Sequence, residues 1–226
     1  MNLEYVVKIS DDDTYQKEQI PCTREAWTVG DALHRIDGPA VIIRNSATGE
    51  VYKEEYYENG KLHRIGGPAK IEFHPKWGCR AESYYEEGQR HRVDGPASRS
   101  VDLATGITIL EAWAQNDVSH REDGPAWIAR DGRTGVAIDE AWYLNGKNHR
   151  VDGPALVRRD PETGIAFHEE WMQHGGHLRE NGAATVGRDR QTGEVTIQYR
   201  MFEGWLITET VDEYFNQRAA PPVPKP

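Results

Sequence analysis

A glutamate, an aromatic ring and a histidine recur along this chain at fixed spacing. The glutamates are Glu25, Glu54, Glu82, Glu111, Glu140 and Glu169, and two positions after each stands Trp27, Tyr56, Tyr84, Trp113, Trp142 or Trp171. Seven further on come His34, His63, His91, His120 and His149, with Leu178 in the sixth place. A carboxylate hydrogen-bonded to an imidazole is the orienting half of many acid–base sites, so a hydrolase using one Glu–His pair is one reading. Repetition favours another. An active site is normally unique, whereas a packing need recurs in every unit. The set therefore reads as an aromatic ladder in which Glu holds the imidazole, each cross-strand pair contributing roughly 0.2–1 kcal/mol. No Ser or Cys stands in a recognisable nucleophile elbow, and no catalytic residue is assigned.

Metal chemistry fails on distance for the same histidines. Two strands per unit at about 4.8 Å would place equivalent imidazoles roughly 10 Å apart. Zinc ligands lie about 2.0–2.1 Å from the ion, so they must be much closer together than that. His168, His174 and His177 cluster more tightly in sequence, but a polar hairpin tip explains them. Neither a metal nor a cofactor is assigned.

The segment HRIDGPA at 34–40 returns as HRIGGPA, HRVDGPA, HREDGPA and HRVDGPA, then decays to LRENGAA at 178–184. Arg35, Arg64, Arg92, Arg121, Arg150 and Arg179 set intervals of 29, 28, 29, 29 and 29 residues. A repeat of this length signals an array of supersecondary units. In the clearest copy IDEAWYL is a strand, Asn145-Gly146 a type I′ turn, and KNHRV the returning strand. Asp152-Gly153-Pro154 should kink that strand before LVRRD carries it to a Thr-Gly turn. Register then places Leu144 opposite Lys147 and Trp142 opposite His149. Glu140, Trp142 and His149 should share one face, and Arg150 and Asp152 the other. Arg92–Asp94, Arg121–Asp123 and Arg150–Asp152 are expected as structural pairs.

The motif W-Y-x-N-G-x-x-H-R-x-D-G-P-A at 142–155 resembles the MORN-type repeat family and related repeats of bacterial antitoxin-like, phage and giant-virus proteins. The likeness covers about residues 25–204. It implies an elongated single-layer antiparallel meander of about six β-hairpin repeats serving as a scaffold, a dimerisation element or a membrane-associated module. The unit is longer than a usual MORN unit and its GPA element departs from that consensus, so lipid binding is not carried over. Around the array at 25–205, residues 1–24 read as a capping strand and 206–218 as a capping helix with Val211, Tyr214 and Phe215 at helical spacing. Residues 219–226 read as a disordered Pro-rich tail.

Composition narrows the partner. Asp and Glu number 37 against 27 Lys and Arg, a net charge of −10, which disfavours direct binding to nucleic acid or anionic membrane. A basic protein surface fits better, and regularly spaced carboxylates could imitate a nucleic-acid backbone. Only 37% of residues are hydrophobic, too few for a thick core. The two cysteines, Cys22 and Cys79, fit a reducing cytoplasm, the host cell's if the chain is phage-encoded. The opening MNLEYVVKISDDD lacks the basic and apolar regions of a signal peptide, and no stretch approaches the roughly 18 apolar residues of a membrane span.

These observations favour a non-enzymatic protein-binding scaffold, an inhibitor or neutraliser in a phage or toxin–antitoxin setting, with homodimerisation through the aromatic face as part of the same expectation. Glycan or small-ligand binding on the Trp ladder is the alternative class. Local function should lie where units break the pattern: Gly66 for Asp, Pro75-Lys76-Trp77-Gly78 for the Thr-Gly turn, Asn116-Asp117 for Asn-Gly, and Leu178, Asn181 and Ala183 in the last unit. Trp77, Asp117, Trp127, Trp113 and Trp142 are the candidate binding residues.

Overall fold

The computed structural model describes residues 4–13, 15, 19–179, 182–202 and 205–209. Among them the chain is all-β, with no helix, and it divides into two compact units at Ser119/His120. In the first unit strand β1 (Val6–Asp12) pairs with β2 (Cys22–Val29). The strands Val41–Asn45, Val51–Glu55, Lys70–His74, Cys79–Ser83, Ser98–Asp102 and Thr108–Ala112 follow, each antiparallel to the one before. The second unit repeats the meander through Trp127–Arg130, Ala137–Ala141, Leu156–Arg159, Ala166–Glu170, Thr185–Arg188, Val195–Phe202 and Trp205–Glu209. The last of these takes the first residues of the segment expected to form a capping helix. Residues 210–218 and the tail at 219–226 lie outside the described residues.

Every repeat after the first holds four strands rather than the two that alternation suggests; in the first, Cys22–Val29 runs unbroken through Trp27 and pairs with Ala32–Leu33. The strand carrying Glu140 stops at Ala141, and a separate two-residue hairpin, Tyr143–Leu144 with Lys147–Asn148, follows. The break sits at the aromatic residue. The Trp142 N–H bonds the carbonyl of Ala155 at 2.8 Å, and the Trp142 carbonyl accepts the N–H of His149 at 3.0 Å. Its backbone is thereby turned toward the GPA segment instead of the neighbouring long strand. The hairpin register is Leu144 opposite Lys147, as the turn chemistry requires. Asn145 and Gly146 have φ of +51° and +76°, which a type I′ turn demands.

The long hairpins close on a second element. Asn45, Asp102, Asp131, Asp160 and Asp189 recur at the repeat period, four residues before the turn glycine. The Asp131 Oδ1 accepts backbone N–H groups from Arg133 at 3.1 Å and Thr134 at 2.7 Å, and the other four carboxylate or amide oxygens do the same. The turn is therefore D-x-x-T-G, of which Thr-Gly alone is the smaller part. His74 holds this position in the second repeat, where Pro75-Lys76-Trp77 replaces the motif.

Burial is thin, as the composition requires. One cluster of Tyr15, Cys22, Val41, Ile43 and Tyr52, with Ile20, Leu33, Tyr57 and Phe73 packed against it, forms the core of the first unit. Cys22 and Cys79 are both buried and unbridged.

Candidate interaction surface

The repeated polar residues are spent on holding neighbouring repeats together. In each His-bearing repeat the imidazole Nδ1 accepts a backbone N–H from the hairpin tip of the next: Asn59 to His34 at 3.0 Å, Glu87 to His63 at 3.2 Å, Asn116 to His91 at 3.3 Å, Asn145 to His120 and His174 to His149 at 3.2 Å. The His91 Nδ1 also lies 2.9 Å from the Asn116 side-chain Oδ1. The repeat glutamates hold Arg, not His. Arg44 bonds Glu25, Arg99 bonds Glu82, Arg159 bonds Glu140 and Arg188 bonds Glu169. Glu54 lies between Ile42 and Ile71 on the adjoining strands, and Glu111 lies opposite Arg99. The anticipated Glu–His ladder is not formed.

The predicted separation of faces is also overturned. The guanidinium carbon of Arg150 lies 4.1 Å from the centre of the Trp142 ring, so Arg and Trp share a side. Arg35 covers Trp27, Arg64 covers Tyr56, Arg92 covers Tyr84 and Arg179 covers Trp171 in the same way, at 3.8–4.1 Å. Period-two reasoning failed because the chain leaves the strand at His149 and doubles back. The arginine folds over its own loop, and its Nη1 donates to the Pro154 carbonyl. This explains the glycine of GPA, since a Cβ on Gly153 would stand 2.7 Å from the Arg150 Cζ.

Arg92, Arg121 and Arg150 additionally donate from Nε to Asp94, Asp123 and Asp152 at 3.0, 2.8 and 3.0 Å, as the sequence predicts. These hydrogen bonds, and then the arginine charge, hold the three carboxyls below the usual aspartate range. Backbone donation from Thr105, Thr134, Thr163 and Thr192 lowers Asp102, Asp131, Asp160 and Asp189 likewise. A carboxyl lowered in the folded state contributes stability above its ordinary value of 3.8, and that stability is lost as pH falls through the lower folded value. Melting temperature should therefore fall steadily below about pH 4. A profile flat down to about pH 2 would show that these turns and pairs do not report on folding.

What most repeats leave free is the residue after the loop arginine. Ile36, Ile65, Val93 and Val151 are 69%, 89%, 74% and 75% exposed, and Glu122 occupies the same place. Between successive loops run open grooves. In the first unit one of about 520 Å³ lies between Ile36 and Ile65, with Tyr57 and Glu58 in its wall; the next, of about 390 Å³, lies between Ile65 and Val93, beside Tyr85, Glu86 and Asp94. The second unit has a groove of about 540 Å³ lined by Glu122, Asp123, Trp142, Leu144 and Val151. The motif reading missed this row. Its signal was present, as an apolar β-branched residue set between two charged ones in a loop.

The individually chosen residues scatter. Trp77 is 66% exposed at the turn after Lys70–His74, tilted against His74 with ring centres 5.5 Å apart. Trp127 is exposed opposite Ala141, while Trp113 is half-buried. Trp142 lines its groove, although Arg150 covers one ring face. Asp117, with φ of +63°, accepts from both the N–H and the Nε of Arg90, so its departure from Asn-Gly secures a neighbouring hairpin. The shortest carboxylate–imidazole contacts among the described residues fall outside the repeat pattern. Glu170 meets His168 at 2.7 Å and His177 at 2.9 Å. Burial alone would raise the Glu170 carboxyl, but the two imidazoles outweigh it and the net direction is down. No three His, Cys, Asp or Glu side chains among the described residues converge as metal ligands.

No protein-family model and no curated protein matches this chain. The MORN-type resemblance thus rests on the repeated motif itself.

Proposed function

We propose that this chain is a non-enzymatic scaffold that binds a protein partner along the loop row and its grooves. The observation that carries this reading is the series Ile36, Ile65 and Val93, exposed at every repeat of the first unit while the polar residues around it are committed to structure. Three aligned apolar side chains with the exposed Glu58 and Glu86 beside them suit a partner segment that alternates apolar and basic residues. The net charge of −10 favours encounter with such a surface. A neutralising or inhibitory role in a phage or toxin–antitoxin setting follows from the resemblance alone, and a cytoplasmic site of action is proposed with it. No helix among the described residues is long and apolar enough to cross a membrane.

The test compares the wild-type chain with an Ile36→Ser/Ile65→Ser/Val93→Ser variant as affinity baits in host lysate. The variant should lose the captured partner while its circular dichroism and melting curve stay unchanged. Equal capture by both baits would refute the loop row as the binding surface. Binding insensitive to added salt would exclude nucleic-acid mimicry as the mode. The hydrolase alternative requires one repeat to matter alone. His63→Ala, His91→Ala, His120→Ala and His149→Ala should instead each destabilise by about 0.5–1.5 kcal/mol, the usual net value of one hydrogen bond.

A further inference from the structure

Among the described residues the edge of the first unit at β1 is open. Among the described residues β1 pairs only with β2, and every side chain from Val6 to Asp11 is exposed, Ile9 at 71%. A seven-residue edge with Val6, Val7 and Ile9 and no proline presents a row of N–H and C=O groups to any strand that fits. Charge selects the strand. β1 is basic in its first half, at Lys8, and acidic at its end, at Asp11 and Asp12. A second β1 laid antiparallel sets basic against acidic twice, whereas a parallel one sets like against like.

Register sharpens the match. Full antiparallel overlap of Val6–Asp12 with its own copy places the middle residue, Ile9, on a two-fold axis facing the other Ile9. Val7 then lies diagonal to the second copy's Ile9, so four apolar side chains meet on one face. On the opposite face Lys8 lies diagonal to both the second copy's Asp12 and its Lys8. Diagonal neighbours are about 7–8 Å apart at Cα, within reach of a lysine. We propose that two copies of this chain associate isologously through β1, in antiparallel register centred on Ile9. This pairing joins sheet edges rather than the grooves between loops, so it stands apart from the scaffold reading.

Light scattering and sedimentation should give a mass approaching twice 25.6 kDa as concentration rises. Ile9→Lys opposes two ammonium groups on the axis, and Lys8→Glu opposes carboxylates. Each should raise the dimer dissociation constant about tenfold or more, with unchanged circular dichroism because both positions are exposed. Ile9→Cys should form a covalent dimer under mild oxidation, because directly opposed residues lie about 4.5–5.5 Å apart at Cα, within disulfide range. Background crosslinking is low, with Cys22 and Cys79 buried. A strict monomer at every concentration overturns the proposal. So does a dimer that is indifferent to Ile9→Lys and Lys8→Glu and does not crosslink through Ile9→Cys.

Discussion

Tyr52→Ala should destabilise the first unit by about 3–5 kcal/mol, the cost of emptying an aromatic site in a core. Tyr52 is 6% exposed and sits at the centre of the apolar cluster. Tyr15 packs edge-on to it with ring centres 5.2 Å apart, and Phe73 lies at 5.5 Å. Little else in a thin sheet can collapse into the space. The hydroxyl adds a smaller contribution by accepting from Asn45 Nδ2 at 3.2 Å. Tyr52→Phe should therefore cost only about 0.5–1.5 kcal/mol. Urea unfolding followed by near-ultraviolet circular dichroism measures both. A Tyr52→Ala midpoint equal to wild type would mean that the cluster does not organise the unit.

The second large effect comes from adding atoms. Ala155→Leu should destabilise by about 1–3 kcal/mol, through overpacking rather than loss of contact. Ala155 is fully buried, donates its N–H to the Glu170 carbonyl at 2.7 Å and accepts from the Trp142 N–H at 2.8 Å. It is the stitch between the aromatic pivot of its own repeat and the long strand of the next, and a larger side chain must pull that stitch open. Ala40, Ala69, Ala97, Ala126 and Ala184 hold the same place and are buried alike. The equivalent Ala97→Leu should behave as Ala155→Leu does, and Ala155→Ser should be far milder. Comparable melting of Ala155→Leu and Ala155→Ser would contradict a steric origin.

Both variants bear on function through what they spare. The exposed Ile65 and Val93 take no part in the Tyr52 cluster or in the alanine stitch, so binding and stability should be separable. The acidic turns offer a further separation. Their carboxyls lose charge only in acid, whereas the apolar row does not titrate.

Sequence alone determined the period, the all-β class and the hairpin tips, because each rests on local chemistry. Asn145-Gly146 can only serve a turn with positive φ, and repetition at 29 residues multiplies that local fact along the chain. The Arg150–Asp152 pair was legible for the same reason, being two residues apart. Tertiary structure decided the rest. The break at Trp142 depends on the Ala155 carbonyl thirteen residues on, and His149 finds its donor in the following repeat, at His174. Neither contact has a periodic signature within one strand. The glutamate–histidine–tryptophan set that first suggested chemistry is divided among three duties: Glu140 binds Arg159, His149 receives a neighbour's N–H, and Trp142 lies beneath Arg150. Spacing in sequence placed these residues on one strand pair, but only the folded path, leaving the large sheet at Trp142 and returning at Leu156, settled which groups they meet.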